Sequence, residues 1–363
     1  MARSNGHQSH PPAIFSGMEY TRLGNSGLMV SRIALGCMTY GSSKWRSWVL
    51  DEDKARPFYK RAVEAGINFF DTADFYSVGV SEEVTGRALK EFANRDEIVV
   101  ASKVYYEMGP GQNMSGLGRK HIIQACEASL KRLGMNRLDI LYIHRWDPGT
   151  PIEETLEALH DLVQSGKVLH IGASSGPAWM MAQALSTSER HGWARFMAMQ
   201  NHYNLVYREE EREMIPLCQH EGVGIIPWSP LARGMIARPR PADKKVASGG
   251  TNRAKLDAYS EALYDSPADW NVVDAVERVA KARGVSMAEV SLAWLLSRPG
   301  VAAPIVGASK LDQLDAAIKA VDLKLSAEEC ATLEAPYEPH AVRGFVIGES
   351  RPTGKPVVPP NPK

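Results

Sequence analysis

Cysteine is scarce in this chain and widely spread. Cys37, Cys126, Cys218 and Cys330 form no Cys-x-x-Cys pair, which argues against a disulfide framework and suits a reducing cytoplasm. Charge of one sign is missing too. Lys plus Arg and Asp plus Glu number 42 each, with no long basic block, so nucleic acid and anionic membranes gain no electrostatic support as partners. No apolar stretch approaches the ~20 residues of a membrane span. Met1 to Ser16 is polar and lacks the apolar core of a signal peptide. No metal site is expected, because there is no His-Glu-x-x-His and the Cys and His residues do not cluster at ligand spacing. His7 and His10 read as tail residues. Neither Gly-x-Gly-x-x-Gly after the first strand nor a Gly-x-x-x-x-Gly-Lys-Ser phosphate loop is present. Gly109-Pro110-Gly111 comes after the third strand, and position 114 is Met. A dinucleotide would need a different cradle.

What is present is a regular alternation of short apolar runs and helical patterns. The 363 residues, 44% of them hydrophobic, suffice for a sizeable core. That length suggests about two domains, but α/β barrels often run longer as one. Glu19 to Ile33 reads as a hairpin around the turn signal Asn25-Ser26-Gly27. Strands follow at Ile33–Cys37, Asn68–Thr72, Ile98–Lys103, Leu138–His144, Val168–Ala173, Phe196–Gln200, Val223–Pro227 and Ala303–Val306. Between them lie helical patterns at Asp53–Ala65, Ser81–Phe92 and Arg119–Leu133, one opening with Thr150-Pro151-Ile152-Glu153 as N-cap, first-turn proline and capping glutamate, one from Trp179, and one over Glu209–His220. Gly66 and Gly134 supply C-terminal stops. Val272–Ala282, Ala288–Leu296 and Leu311–Ala320 are helical as well. Ser286-Met287-Ala288-Glu289 and Ser326-Ala327-Glu328-Glu329 open helices, the first with a capping box.

Eight strand–helix units make an α/β fold, a (β/α)8 TIM barrel, the leading architecture, with the hairpin as a plug beneath it. Doubly wound folds also alternate. The expected organisation is a tail over 1–17, one barrel domain over 18–335, and a Pro-rich tail over 336–363 that either folds over the barrel mouth or is disordered.

Four residues stand at or just beyond the C-terminal ends of three successive strands, where a parallel barrel keeps its chemistry. They are Asp71 and Tyr76, Lys103, and His144. Each alone has a structural reading: a cap, a strand-end charge, a satisfied core histidine. Together they suit a proton transfer to a carbonyl oxygen. Free tyrosine titrates near pH 10, and a nearby ammonium lowers that value. Lys103 could supply the ammonium and Asp71 could hold it. Lys103 could equally form a Schiff base with a carbonyl substrate, as aldolases do. Gly307-Ala308-Ser309-Lys310, between strand eight and a helix, is either a phosphate site or a plain junction. Trp45, Trp48, Tyr105, Tyr106 and Trp146 form an apolar pocket wall or ordinary packing. The loops Trp45–Leu50, Tyr105–Gly118 and Ala237–Ala268 carry no code for one substrate, and no segment speaks to oligomeric state.

From Met18 to Ala335 the chain resembles the aldo-keto reductases. Asp71-Thr72-Ala73-x-x-Tyr76, Lys103 and Leu141-Tyr142-Ile143-His144-Arg145 match the catalytic pattern of that family. Ile171-Gly172-Ala173-Ser174-Ser175, Gln200-Asn201-x-Tyr203-Asn204 and Pro227-Trp228-Ser229-Pro230-Leu231-Ala232-Arg233-Gly234 match its cofactor pattern. The forms around Trp228 and at Gly307–Gln313 place the chain near the aryl-alcohol dehydrogenase and potassium-channel beta-subunit branches.

The resemblance implies reduction of an aldehyde or ketone, or its reverse, with NADPH. Tyr76 would be the general acid, tuned by Asp71 and Lys103, with His144 placing the carbonyl. Ser174 and Gln200 would hold the carboxamide, and Trp228 would stack on the nicotinamide. Gly36, Met38 and Asp71 join the cofactor set. Ser229, Leu231 and Arg233 would line the pyrophosphate. Gly307, Ser309, Lys310 and Gln313 would hold the adenosine end, with Ser309 and Lys310 suiting a 2′-phosphate. Trp45, Tyr105 and Trp146 are the substrate-side candidates. The sequence departs from the family at Ser175, where asparagine is usual, and at Ala316 and Ala317, where an asparagine or glutamate is usual. A cofactor-binding regulatory subunit with little turnover remains an alternative.

Overall fold

Strands buried on both faces carry near-continuous apolar runs, and the eight here do so in a single parallel sheet. The computed structural model describes residues 17–242, 256, 260, 263–264 and 266–344. The expected tail before Gly17, the Pro-rich end beyond Gly344 and most of the polar segment over 243–265 lie outside the described residues. The strands are Ala34–Gly36, Phe69–Asp71, Val99–Val104, Leu138–Ile143, Val168–Ser174, Phe196–Gln200, Gly224–Ile225 and Ile305–Val306; the first seven are paired in chain order and the eighth pairs with the first. The seventh closes onto the segment leading to the eighth. Ile225 N donates to Gly300 O (3.0 Å), Ala302 N to Ile225 O (2.8 Å), and Ile305 N to Pro227 O (2.9 Å). The sheet is thus a (β/α)8 barrel, as the alternation predicts.

The hairpin pairs Tyr20–Arg22 with Met29–Ser31. Its turn packs tightly at the seventh strand. Gly24 has φ +56, and a Cβ there would lie 2.5 Å from Gly222 O, so only glycine fits. Beside it, Arg32 donates to the carbonyls of Leu296 (2.6 Å), Val301 (2.7 Å) and Ala302 (3.0 Å). Leu23, Val30, Phe69, Tyr142 and Ile140 fill the barrel interior. Tyr142 needs Gly172 beside it, where a Cβ would lie 2.4 Å from the ring.

Most helices stand within a residue or two of their expected bounds. Capping boxes form at Ser286/Glu289 and Ser326/Glu329, and Gly134 ends its helix with φ +65. Two expectations fail. Thr150 does not cap the helix Ile152–Gln164. Its hydroxyl donates to Asp147 Oδ2 (2.8 Å), a bond that turns the side-chain oxygen away from the first helical N–H groups it would have to accept from, and Pro151 becomes the N-cap residue. The pattern over Glu209–His220 is not one helix but a 3-10 turn, Glu209–Glu211, and a helix, Met214–Glu221. Pro216 is tolerated only within a first turn, which forces a fresh start just before it. Residues 336–344 return across the barrel, with Tyr337 Oη donating to Glu209 (2.6 Å).

Candidate functional site

The C-terminal ends of the strands open into one cleft of about 1220 Å3, larger than the roughly 300–1,000 Å3 typical of a small-ligand pocket. It exposes Asp71, Tyr76 and His144 on its wall, with Lys103 fully buried behind them.

Lys103 Nζ donates to Asp71 Oδ2 (2.6 Å), to the Thr72 carbonyl (2.8 Å) and to Tyr76 Oη (3.3 Å). Asp71 Oδ1 accepts from Gln200 Nε2 (2.8 Å). Burial pushes the Asp71 carboxyl up, and Lys103 and Gln200 pull it back. With a donor on each oxygen it stands as a carboxylate. Burial pulls the Lys103 ammonium down, but Asp71 and Tyr76 outweigh it and leave it above its ordinary value. Tyr76 departs from expectation. Lys103 does pull the phenol down, yet burial outweighs it and the net direction is up. Burial, then Lys103 and Arg145, drive His144 well below its ordinary value, so it is a neutral imidazole. Its ring stands edge-on to Tyr76 at 5.7 Å, and its backbone N–H bonds Val104 O (2.9 Å).

Local strain sets Tyr76 in place. Ser77 and Val78 both have φ +52, a left-handed conformation that costs non-glycine residues on the order of 1–3 kcal/mol each and gathers at functional sites. Here the two residues turn the chain directly after the phenol and into the helix Val80–Phe92.

Further along the cleft, Ser174 Oγ donates to the Gln200 carbonyl (2.9 Å). Ser175 Oγ accepts from Trp228 Nε1 (2.8 Å), so the serine that replaces the usual asparagine fixes the indole. Trp228 stacks on His202 at 4.3 Å and 13°. Ser229, Ala232 and Arg233 have φ +52, +47 and +54. Ser229, Leu231 and Arg233 line the cleft, as do Gly36 and Met38. At the far end lie Gly307, Ser309, Lys310 and Gln313. There Gln313 Oε1 accepts from Ser309 N (3.0 Å) and Lys310 N (3.2 Å) at the start of the helix Leu311–Lys319. A side-chain oxygen sits where a helix N-terminus would receive a phosphate oxygen.

Tyr105 and Trp146 line the cleft, whereas Trp45 does not and stands behind Phe75, edge-on to its ring. Trp146 is also nearly buried, against Phe196 at 6.1 Å. The sequence reading misses Phe75, which links Trp45 (5.8 Å) to Tyr106 (4.6 Å), while Tyr106 reaches His144 (4.9 Å). A continuous aromatic wall thus leads to His144 and Tyr76. Also missed are His202 beneath Trp228, and Arg343 and Gly344 of the C-terminal segment, which line the same cleft. No local pattern marks them. Among the described residues no group of three or more His, Cys, Asp or Glu could hold a metal, and no helix is long and apolar enough to cross a membrane.

Residues 32–338 match the model of the family described as aldo/keto reductase. The chain is 45% identical over 346 residues to a versiconal hemiacetal acetate reductase of Aspergillus parasiticus, covering 90% of this chain and 98% of that one. It is 44% identical over 351 residues, with the same coverage, to a Schizosaccharomyces pombe protein provisionally named an aryl-alcohol dehydrogenase. An aldo-keto reductase of Alternaria alternata is 40% identical over 365 residues, covering 92% of this chain and 98% of its own.

Proposed function

The chain belongs to the aldo/keto reductase family, and from that premise we propose that it reduces an aldehyde or ketone to an alcohol with NADPH. The observation that carries this reading is the Tyr76 phenol, 3.3 Å from an ammonium that Asp71 holds at 2.6 Å. The residues present fit a nicotinamide dinucleotide. Trp228 offers a ring braced from behind, the loop over 229–234 turns through left-handed backbone, and Gln313 holds two N–H groups that a phosphate could take over.

NADPH, when bound, supplies the hydride. The chain's residues do the rest. Tyr76 Oη donates its proton to the carbonyl oxygen as negative charge grows there. Lys103, held charged, stabilises the phenolate left behind. His144, held neutral, keeps one N–H with which to orient the carbonyl oxygen. Donors fixed in advance in a water-poor site spend little on reorganisation, which is where much catalytic power arises.

The same geometry weighs against the aldolase alternative. A Schiff-base lysine must be neutral to attack, and Lys103 Nζ is buried, charged and engaged with three acceptors. For substrate we propose a bulky aromatic aldehyde or ketone, supported by the wall of Phe75, Tyr105 and Tyr106. A reducing cytoplasm suits its four free thiols, three of them buried.

Loss of NADPH absorbance with a panel of aldehydes and ketones tests the reaction. Turnover confirms the class, whereas tight NADPH binding without turnover would point to a regulatory subunit. Preference for the phosphorylated cofactor is tested at Lys310. Lys310→Ala removes a cation from the adenosine end of the cleft. It should weaken NADPH binding at least about tenfold, the scale of a hydrogen bond to a charged group, and NADH binding much less. Equal weakening of both would show that Lys310 does not meet a 2′-phosphate.

A further inference from the structure

Behind Trp228 lie further rings that the proposed chemistry does not use. His202 stacks on Trp228 at 4.3 Å and 13°, Tyr207 stacks on His202 at 4.1 Å and 12°, and His340 lies parallel to Tyr207 at 6.4 Å and 11°. Trp228, His202 and Tyr207 lie in the loops that follow the barrel's sixth and seventh strands, while His340 comes from the C-terminal segment. Its imidazole meets Asp269 of the helix Asp269–Arg283 at 3.0 Å, with both side chains nearly buried.

Further hydrogen bonds hold the same segment. Glu209 accepts from Tyr337 Oη (2.6 Å) and from His340 N (2.8 Å). Tyr207 Oη donates to the Arg343 carbonyl (3.0 Å) and accepts from Arg343 N (2.9 Å). Gly344 then meets the edge of Trp228, where a Cβ would lie 3.1 Å from Cζ2, with φ +94. Tyr207 is therefore clasped by the segment while it backs the ring on which Trp228 rests.

We propose that residues 337–344 are a clamp on the Trp228 platform, fastened by the His340–Asp269 ion pair, so that the grip on the nicotinamide cofactor follows the protonation of His340. The inference rests on the reductase reading of Trp228. His340 and His202 act as positioning residues, since neither is placed against the reacting atoms.

The groups around His340 fix the sign. Asp269 favours the imidazolium. Burial and Arg343 oppose it, and Asp269 prevails, so the imidazole is raised above its ordinary value. Glu209, carrying Arg212 and Tyr337, faces the backbone side of the segment, and Tyr207 and His202 face the ring side. A raised folded value means that the ion pair is fully present below about pH 6.5, the ordinary imidazole value, and is lost as pH rises through the folded value. The clamp loosens on the alkaline side.

NADPH fluorescence titrations of the full chain between about pH 6 and pH 9 read this directly. The dissociation constant should rise about fivefold with pH, the low end of ordinary coupling between sites. His340→Gln and Asp269→Asn should each bind weakly at every pH and flatten the rise. Titration of the cofactor phosphate is common to all three proteins and cancels in the comparison. Coupling is reciprocal, so the His340 imidazole resonance should titrate at higher pH with NADPH bound, a readout that needs no substituted protein. A rise kept unchanged in His340→Gln, or a flat wild-type profile, would overturn the clamp alone. Absence of NADPH binding at every pH would overturn the reductase reading and the clamp with it.

Discussion

Tyr76→Phe should lower turnover by about a hundred- to ten-thousand-fold, the usual worth of a positioned general acid, and should leave NADPH affinity nearly intact. The ring remains and its edge-on contact with His144 remains, while the hydroxyl goes, taking with it the proton to be transferred and one of the three acceptors of Lys103. The wild-type pH profile should carry the same signature. Burial holds the phenol above its ordinary value, so the acid stays protonated through neutral pH. Reduction should fall only on the alkaline side, and alcohol oxidation, which needs the phenolate, should rise there. His144 is driven well below its ordinary value, so no acid limb near about pH 6.5, the ordinary imidazole value, is expected from it. Near-normal turnover in Tyr76→Phe, measured by NADPH absorbance, would refute the assignment of the acid.

The second large effect is on stability as well as rate. Lys103→Met should cost about 3–5 kcal/mol of unfolding free energy, because removing one member of a buried ion pair strands the other. Asp71 would keep only Gln200 as its donor. The double change Lys103→Met with Asp71→Asn should recover most of that stability, since buried pairs replaced together are often neutral. It should not recover turnover. Urea unfolding beside NADPH turnover separates the two effects. If Lys103→Met proves as stable as wild type, the ion pair is not the strut described here.

The readable part of the site is the part carried by strand ends. Asp71, Lys103 and His144 stand at or beside the points where apolar runs stop, and a parallel barrel turns that one-dimensional fact into neighbourhood. Strain after Tyr76 and burial around it are three-dimensional, so the upward direction of its titration could not be read from the string. The same holds for Thr150, whose expected cap was lost to an aspartate three residues earlier. Nothing marks His202, Tyr207 and His340 as one stack, because His340 comes from far along the chain and meets the other two only when residues 336–344 cross the barrel. Ser175 shows the opposite case. As a departure from the family pattern it was visible at once, but its bond to Trp228 explains it only in the fold.

The barrel closes through its two shortest strands, Gly224–Ile225 and Ile305–Val306, each two residues long. The loop over 229–234 follows one and the junction over 307–310 follows the other. A dinucleotide reaching across both would therefore act as a rivet at the join in the barrel wall. Saturating NADPH should slow deuterium uptake at Gly224–Ile225 and Ile305–Val306 while leaving the strand Val99–Val104 unchanged, since ligands protect most the regions that open locally. At a hundred times its dissociation constant a ligand adds about 2.7 kcal/mol. With neither form of the dinucleotide bound, this chain would be a barrel with one unlatched edge, open there to proteases.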